Sequence, residues 1–212
     1  MKFEIVDLEK WARKETFDHF STIAKSTYSL TVKVDITHLV EMCKRKEYRF
    51  YPVFTWVVTS ALNQFKHFKM GFNKEGMLGY FDKINPMYSV IDSEENVVSL
   101  CTEYVEDVNE FYQNMVNDME KFKNEGIKTS FCPNFFIVST LPWIQYESFT
   151  VINESNQHFL FPMVTWGEYN LENGKYIIPI SFQISHAVAD GYHCALFYKK
   201  VESLISEVIL KL

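Results

Sequence analysis

Residues 176 to 193 read YIIPISFQISHAVADGYH, and this stretch decides the architecture. Tyr176 to Ile184 is rich in β-branched and aromatic residues, as a strand is. The chain then turns at Asp190-Gly191 and enters a helix that carries Phe197, Val201, Leu204, Ile205 and Val208 on one face. Upstream, Phe135 to Ser139, Phe149 to Ile152 and Met163 to Tyr169 read as further strands. Before them Asp107 starts a strong helix. Its apolar positions Val108, Phe111, Tyr112, Met115, Met119 and Phe122 follow offsets of three and four, and Gly126 stops it.

The first hundred residues alternate between the two periods. Asp7 is placed to cap a helix through about Phe20, and Leu30, Val32, Val34 and Ile36 alternate as in a strand with one buried face. Thr37 is placed to cap a short helix through Lys46. Pro52 suits the first turn of a buried helix reaching about Phe68. Between Leu78 and Tyr104, the runs Tyr88 to Ile91 and Val97 to Cys101 predict paired strands, separated by turn residues such as Asn85-Pro86. Helices mixed with a largely β second half predict an α/β sandwich.

A chain of 212 residues without repeat, low-complexity block or linker suits one domain, 1–212. With 47% hydrophobic and 23% charged residues it is too apolar for disorder and too interrupted by charge for a membrane protein. A net charge of −6 supplies no overall basic field for nucleic acid. Cys43, Cys101, Cys132 and Cys194 show no metal-binding spacing, so no metal is expected, and they read as reduced, mostly buried thiols. The acidic start MKFEIVDLEKW does not read as a secretory signal, and the longest apolar stretch, Val53 to Leu62, is about half a membrane span. Cytoplasmic residence is the expectation.

His186, at the exit of the deciding strand, is the candidate for chemistry. Moving an acetyl group from a thioester to an alcohol needs a base for the hydroxyl proton, and an imidazole titrating near neutrality both takes and returns it. A lone histidine beside small apolar residues is more often structural, so the wider pattern matters. His186-x-x-x-Asp190-Gly191 is an arrangement shared by several CoA-dependent acyltransferase families, including dihydrolipoyl acyltransferases. Four further motifs accompany it: Trp11-Ala12-Arg13-Lys14-Glu15-Thr16-Phe17, Arg49-Phe50-Tyr51-Pro52, Phe136 to Trp143 and Pro162-Met163-Val164-Thr165. In order and approximate spacing the set resembles the type A chloramphenicol O-acetyltransferases, from about residue 3 to the C-terminus.

The resemblance implies a two-layer sandwich of a mixed β-sheet with helices, and acetyl transfer from acetyl-CoA to the primary hydroxyl of chloramphenicol. It implies His186 as general base, oriented by a backbone carbonyl, and Ser139 as donor to the oxyanion, with Thr165 helping through a water. Arg13 pairs with Asp190 to hold the loop of His186. Arg49 lies near the CoA 3′-phosphate, and Tyr51 and Tyr169 near the adenine. Phe20 and Tyr28 match acceptor-pocket aromatics, and Val97 stands where a pocket Phe is usual. A homotrimer with active sites at subunit interfaces is implied too. Ser185 replaces the first histidine of a His-His pair, Ala189 a cysteine, and Glu168 a CoA-flanking lysine. Two alternatives stay open: acyl transfer to another small alcohol, or a non-catalytic relative that sequesters an apolar ligand.

Overall fold

The computed structural model describes residues 1–152 and 159–212. In chain order, strand β1 (Phe3–Ile5) precedes helix α1 (Lys14–Asp18), which widens into a π-helical turn at His19–Ile23. Strand β2 (Thr27–Asp35) leads to helices α2 (Thr37–Lys46) and α3 (Phe50–Asn63) and a 3₁₀ turn at Lys66–Lys69. Strands β3 (Met70–Phe72), β4 (Leu78–Phe81), β5 (Asn85–Ile91) and β6 (Val97–Cys101) follow. The long helix α4 (Val108–Glu125) precedes β7 (Phe135–Leu141), β8 (Met163–Gly167), β9 (Asn170–Glu172) and β10 (Lys175–Ser185). Helix α5 (Gly191–Lys211) closes the chain.

The main sheet has the order β2-β10-β8-β7-β5-β6, with β9 paired to β10, and is mixed: β5, β7 and β8 run parallel, and the other pairs are antiparallel. A second, antiparallel sheet has the order β1-β4-β3. Helices cover one face of the main sheet, giving the α/β sandwich. Ile178, Ile180, Phe182 and Ile184 of β10, Val164 of β8 and Val138 of β7 point into that layer, each fully buried or nearly so. The α5 hydroxyl of Tyr198 donates across the layers to the Leu30 and Ile180 carbonyls, tying this helix to β2 and β10. Among the described residues no helix is long and apolar enough to cross a membrane.

Several sequence expectations need correction. Asp7 caps no helix: its carboxylate accepts the Glu9 N–H in a local turn. Residues 3–5 are instead held against β4, where Gly79 leaves room; a Cβ there would strike the Glu4 carbonyl and the Phe3 ring. Helix α3 stops at Asn63, because that side chain bonds both N–H and C=O of Ile84 and ties the helix end to β5's approach. Asn85-Pro86 opens β5 rather than making a turn. Proline is tolerated at this strand end because β6 pairs only from Met87 onward, so no ladder bond needs its missing N–H. Phe149 to Ile152 is not a strand. Its backbone is bonded by side chains instead: Ser29 and Thr31 reach Phe149, and Gln183 takes both N–H and C=O of Val151.

The cysteines also divide. Cys43 and Cys194 are buried free thiols, pushed up to about 11 by burial. Cys101 and Cys132, expected to be reduced, are joined as a disulfide that ties β6 to the α4–β7 connection. Their spacing of 31 residues carries no signal of this; the topology that folds α4 back against the sheet creates it.

Candidate active site

The site grows from the sharp passage out of β10. The Ser26 carbonyl accepts the N–H of His186, fixing the end of the strand beside the start of β2. Arg13 then gathers the loop that follows. Its Nε donates to the Ala187 carbonyl at 2.8 Å, and one terminal nitrogen donates to the His186 carbonyl at 2.8 Å and to Asp190 Oδ1 at 2.6 Å. The other terminal nitrogen donates to Asp190 Oδ2 at 2.7 Å. The guanidinium's planar fork matches a carboxylate bidentately, so Arg13 holds three loop residues at once. It also keeps the Asp190 carboxyl below its ordinary 3.8.

The imidazole of His186 is fixed on every side. Phe20 stacks on it with centroids 3.6 Å apart, and Tyr28 meets it edge-on at 4.7 Å. Phe20 reaches this place because the π-helical turn, closed by the Ala24 N–H on the His19 carbonyl, widens the backbone there. His186 Nδ1 lies 3.2 Å from the Ala189 carbonyl and 3.3 Å from Asp190 Oδ1. A carbonyl can only accept, so Nδ1 carries the hydrogen and Nε2 is left without one. Asp190 is a weaker competitor for Nδ1, since Arg13 engages both of its oxygens.

Ser139 and Thr165 form a second group. They are direct partners on the parallel strands β7 and β8, and the row continues through Ser181 to Thr31 on the face away from the helices. Ser181 and Thr31 bond each other. Thr165 Oγ1 is buried without a hydrogen-bond partner among the described residues. The two groups are not brought together within one chain. His186 lies five residues beyond Ser181 along β10, about 16 Å at the rise of a strand, and Ser139 is two strands further over.

Two cavities flank the Ser139 row on opposite faces of the sheet. One, of about 730 Å³, opens on the helix side at the carboxyl ends of β5, β7 and β8, lined by Tyr51, Thr140, Trp143, Trp166, Glu168 and Tyr169 among others. Tyr51 OH is also buried without a partner among the described residues. The other, of about 550 Å³, is floored by Ile137, Met163 and Gln183 and walled by Phe159 and Phe161. Arg49 lines a neighbouring cleft and pairs with Glu120 at 2.7 Å. Val97 lies apart from these clusters, 68% exposed at the start of β6.

Sequence reasoning named Tyr51 and Tyr169 of the first cavity but missed most of the other wall residues. Ile137, Trp143, Met163 and Gln183 stood inside quoted stretches without a role, while Phe159 and Phe161 carried no signal beyond apolar character. Among the described residues no group of three or more His, Cys, Asp or Glu side chains could hold a metal ion.

Residues 1–202 match the family described as chloramphenicol acetyltransferase. A chloramphenicol acetyltransferase of Staphylococcus aureus is 37% identical over 212 residues, covering 98% of each chain. Another, of Clostridium perfringens, is 35% identical over 210 residues, covering 97% of this chain and 96% of its own. Among solved structures, one described as a chloramphenicol acetyltransferase superposes with a TM-score of 0.85 at 23% identity, covering 96% of this chain and 100% of its own. A probable dihydrolipoamide acetyltransferase of Listeria monocytogenes reaches 0.66 at 13%, covering 98% of this chain and 95% of its own. At such identities the structural likeness speaks for the fold alone.

Proposed function

Since the chain belongs to the chloramphenicol acetyltransferase family, we propose that it moves an acetyl group from acetyl-CoA to the primary hydroxyl of chloramphenicol, with His186 as base. The observation that carries the reading is the Nδ1 contact to the Ala189 carbonyl, which leaves Nε2 unprotonated and the ring clamped between Phe20 and Tyr28. Nε2 takes the hydroxyl proton as the oxygen attacks the thioester carbonyl. Ser139 Oγ donates to the oxyanion that forms, with Thr165 beside it for a bridging water. One such donor contributes about 3 kcal/mol to the barrier. As the carbon–sulfur bond breaks, His186 returns the proton to the departing thiolate.

The residues present fit the two substrates. The helix-side cavity offers aromatic surface for an adenine and pantetheine arm in Tyr51, Trp143 and Tyr169, and the unpartnered Tyr51 hydroxyl is a polar group ready for a ligand. Arg49 at the adjoining cleft suits the 3′-phosphate once it leaves Glu120. The cavity on the other face is apolar enough for a nitrophenyl ring, and Phe20 and Tyr28, which pack on the base, are assigned to the acceptor on family resemblance. Val97 is assigned to the acceptor wall on family resemblance alone. Tyr51→Phe should leave the fold as stable or slightly more so, because an unpaired buried hydroxyl is removed, while raising the KM for acetyl-CoA roughly fivefold. Thermal melts and initial rates check both signs.

The register supports a shared site. A base and an oxyanion donor must both stand about 3 Å from one reacting centre, and within one chain His186 and Ser139 are about 16 Å or more apart along the strands. We therefore assign His186 of one subunit to work against Ser139 of the next; that the assembly is a homotrimer rests on family resemblance alone. Light scattering at micromolar protein should give three times the chain mass; a fully active monomer would remove the shared site. Because its acyl donor is an intracellular metabolite, we place the protein in the cytoplasm. In that reducing compartment the Cys101–Cys132 bond is open to reduction, and thiol titration of protein isolated without reductant measures its state. The reaction is tested by release of CoA thiol from acetyl-CoA with and without chloramphenicol. Release that requires chloramphenicol supports the reading. Release only with other alcohols replaces the acceptor, and chloramphenicol binding without release makes the chain a sequestering relative.

A further inference from the structure

We infer that His193 is a positioning residue for the transfer: its unprotonated Nδ1 accepts the Asp190 backbone N–H at 3.0 Å and so holds the loop that aims His186. The inference rests on His186 being the base. Asp190 is the N-cap of α5 and His193 its third helical residue, the place from which a Glu or Gln side chain ordinarily reaches back to the N-cap N–H. A histidine there does the same work only while Nδ1 is bare, with the ring hydrogen on Nε2. The bond matters beyond the helix end, because the residue just before Asp190 supplies the carbonyl that sets the His186 tautomer.

The surroundings make this a bond that acid removes. His67, from the 3₁₀ turn, lies against His193 with centroids 4.0 Å apart, and Tyr192 meets it at 5.6 Å. The charged groups facing the pair are Arg13 and Asp190, with Asp190 Oδ2 3.6 Å from His193 Nδ1. Burial holds both histidines below the ordinary 6.5, and for His67 the neighbouring His193 and Arg13 add to the effect. Both rings are therefore neutral near pH 7. When His193 gains a proton, Nδ1 turns from acceptor to donor and the Asp190 N–H faces another N–H. The acceptor within reach is then Oδ2, which Arg13 already holds, so the cation draws the carboxylate out of its fork. The unfolded chain takes up this proton near 6.5, above the folded value. The contribution is thus complete above that pH and is lost as pH falls through the folded value.

The test is steady-state kinetics of the full chain from about pH 5 to 8, with acetyl-CoA and chloramphenicol as substrates. His193→Leu should lower kcat roughly three- to tenfold at neutral pH, with both KM values unchanged. His193→Gln, which restores an acceptor that does not titrate, should return kcat to within about twofold. On the acid side log kcat of the wild type should fall more steeply than that of His193→Gln, because a second proton, taken up by His193, adds a drop of the same three- to tenfold size. His67→Phe, which keeps the ring contact without a charge, should retain the steep limb. The inference is overturned if His193→Gln is as slow as His193→Leu, if its acid limb is as steep as that of the wild type, or if His67→Phe alone removes the second proton. Should His193→Leu fail to fold, the Gln profile still decides. His186→Ala, assayed alongside, reports separately on the base: activity surviving in that variant would sink the premise and leave the His193 comparison readable.

Discussion

His186→Ala is expected to fold normally and to lose acetyl transfer by a factor of about 10² or more. The imidazole is 21% exposed and sits between two rings, so its removal leaves a small gap that Phe20 can fill, and no buried charge is stranded. What disappears is the one bare ring nitrogen whose tautomer is dictated by a backbone carbonyl. Binding of both substrates should persist, because neither cavity wall includes His186. The loss should therefore fall on kcat rather than KM. Purified variant with an unchanged melting temperature and more than about a tenth of wild-type turnover would show that another group takes the proton.

Arg13→Ala should damage stability and turnover together. The substitution abandons two backbone carbonyls, those of His186 and Ala187, and leaves the Asp190 carboxylate without its partner. A buried ion pair broken in this way costs about 3 to 5 kcal/mol. Here Arg13 is 14% exposed but Asp190 is 38% exposed, so water recovers part of the loss and about 1 to 3 kcal/mol is the better expectation. For a chain of this size that lowers the melting temperature on the order of 5 °C, and turnover falls on the order of tenfold as the Ala189 carbonyl loses its support. Arg13→Lys should rescue little, since a single ammonium cannot span a carboxylate and two carbonyls. The double variant Arg13→Ala/Asp190→Ala should recover part of the stability, and strictly additive losses would show that the pair does not interact. The pair also sets an acid limit. Asp190 is held below 3.8 when folded, so its contribution is present above 3.8 and lost as pH falls through the folded value. That extra acid lability should vanish in the double variant.

Local chemistry was the legible part of this molecule. Helix α4 is written in its caps: Asp107 accepts the Glu110 N–H and Gly126 adopts a φ of 68°. The passage from β10 to α5 is as plain, because a β-rich run ends at Asp-Gly and a one-sided apolar helix begins. Where the reading failed, a distant partner overrode a local preference. Phe149 to Ile152 has strand composition, yet Gln183, Ser29 and Thr31 had already claimed its backbone from across the sheet. Asn63 ended α3 early for the sake of Ile84. The site divides in the same way. His186 and Asp190 lie within one motif and could be named from it, and family resemblance supplied Arg13 and Ser139. Nothing in the residues themselves said that Ile137, Met163 and Gln183 are neighbours; only the strand order β7-β8-β10 makes them one floor.

The placement of the two cavities on opposite faces of the sheet has a kinetic consequence. If the cavities take the two substrates as proposed, each has its own doorway, so neither has to arrive first, and a bound donor does not bar the acceptor's way in or out. Free CoA should then compete with acetyl-CoA alone, and plots of initial rate against either substrate should intersect rather than run parallel. On the proposed mechanism no acetyl group is parked on the protein between one arrival and the other, because both reactants are present together when His186 acts.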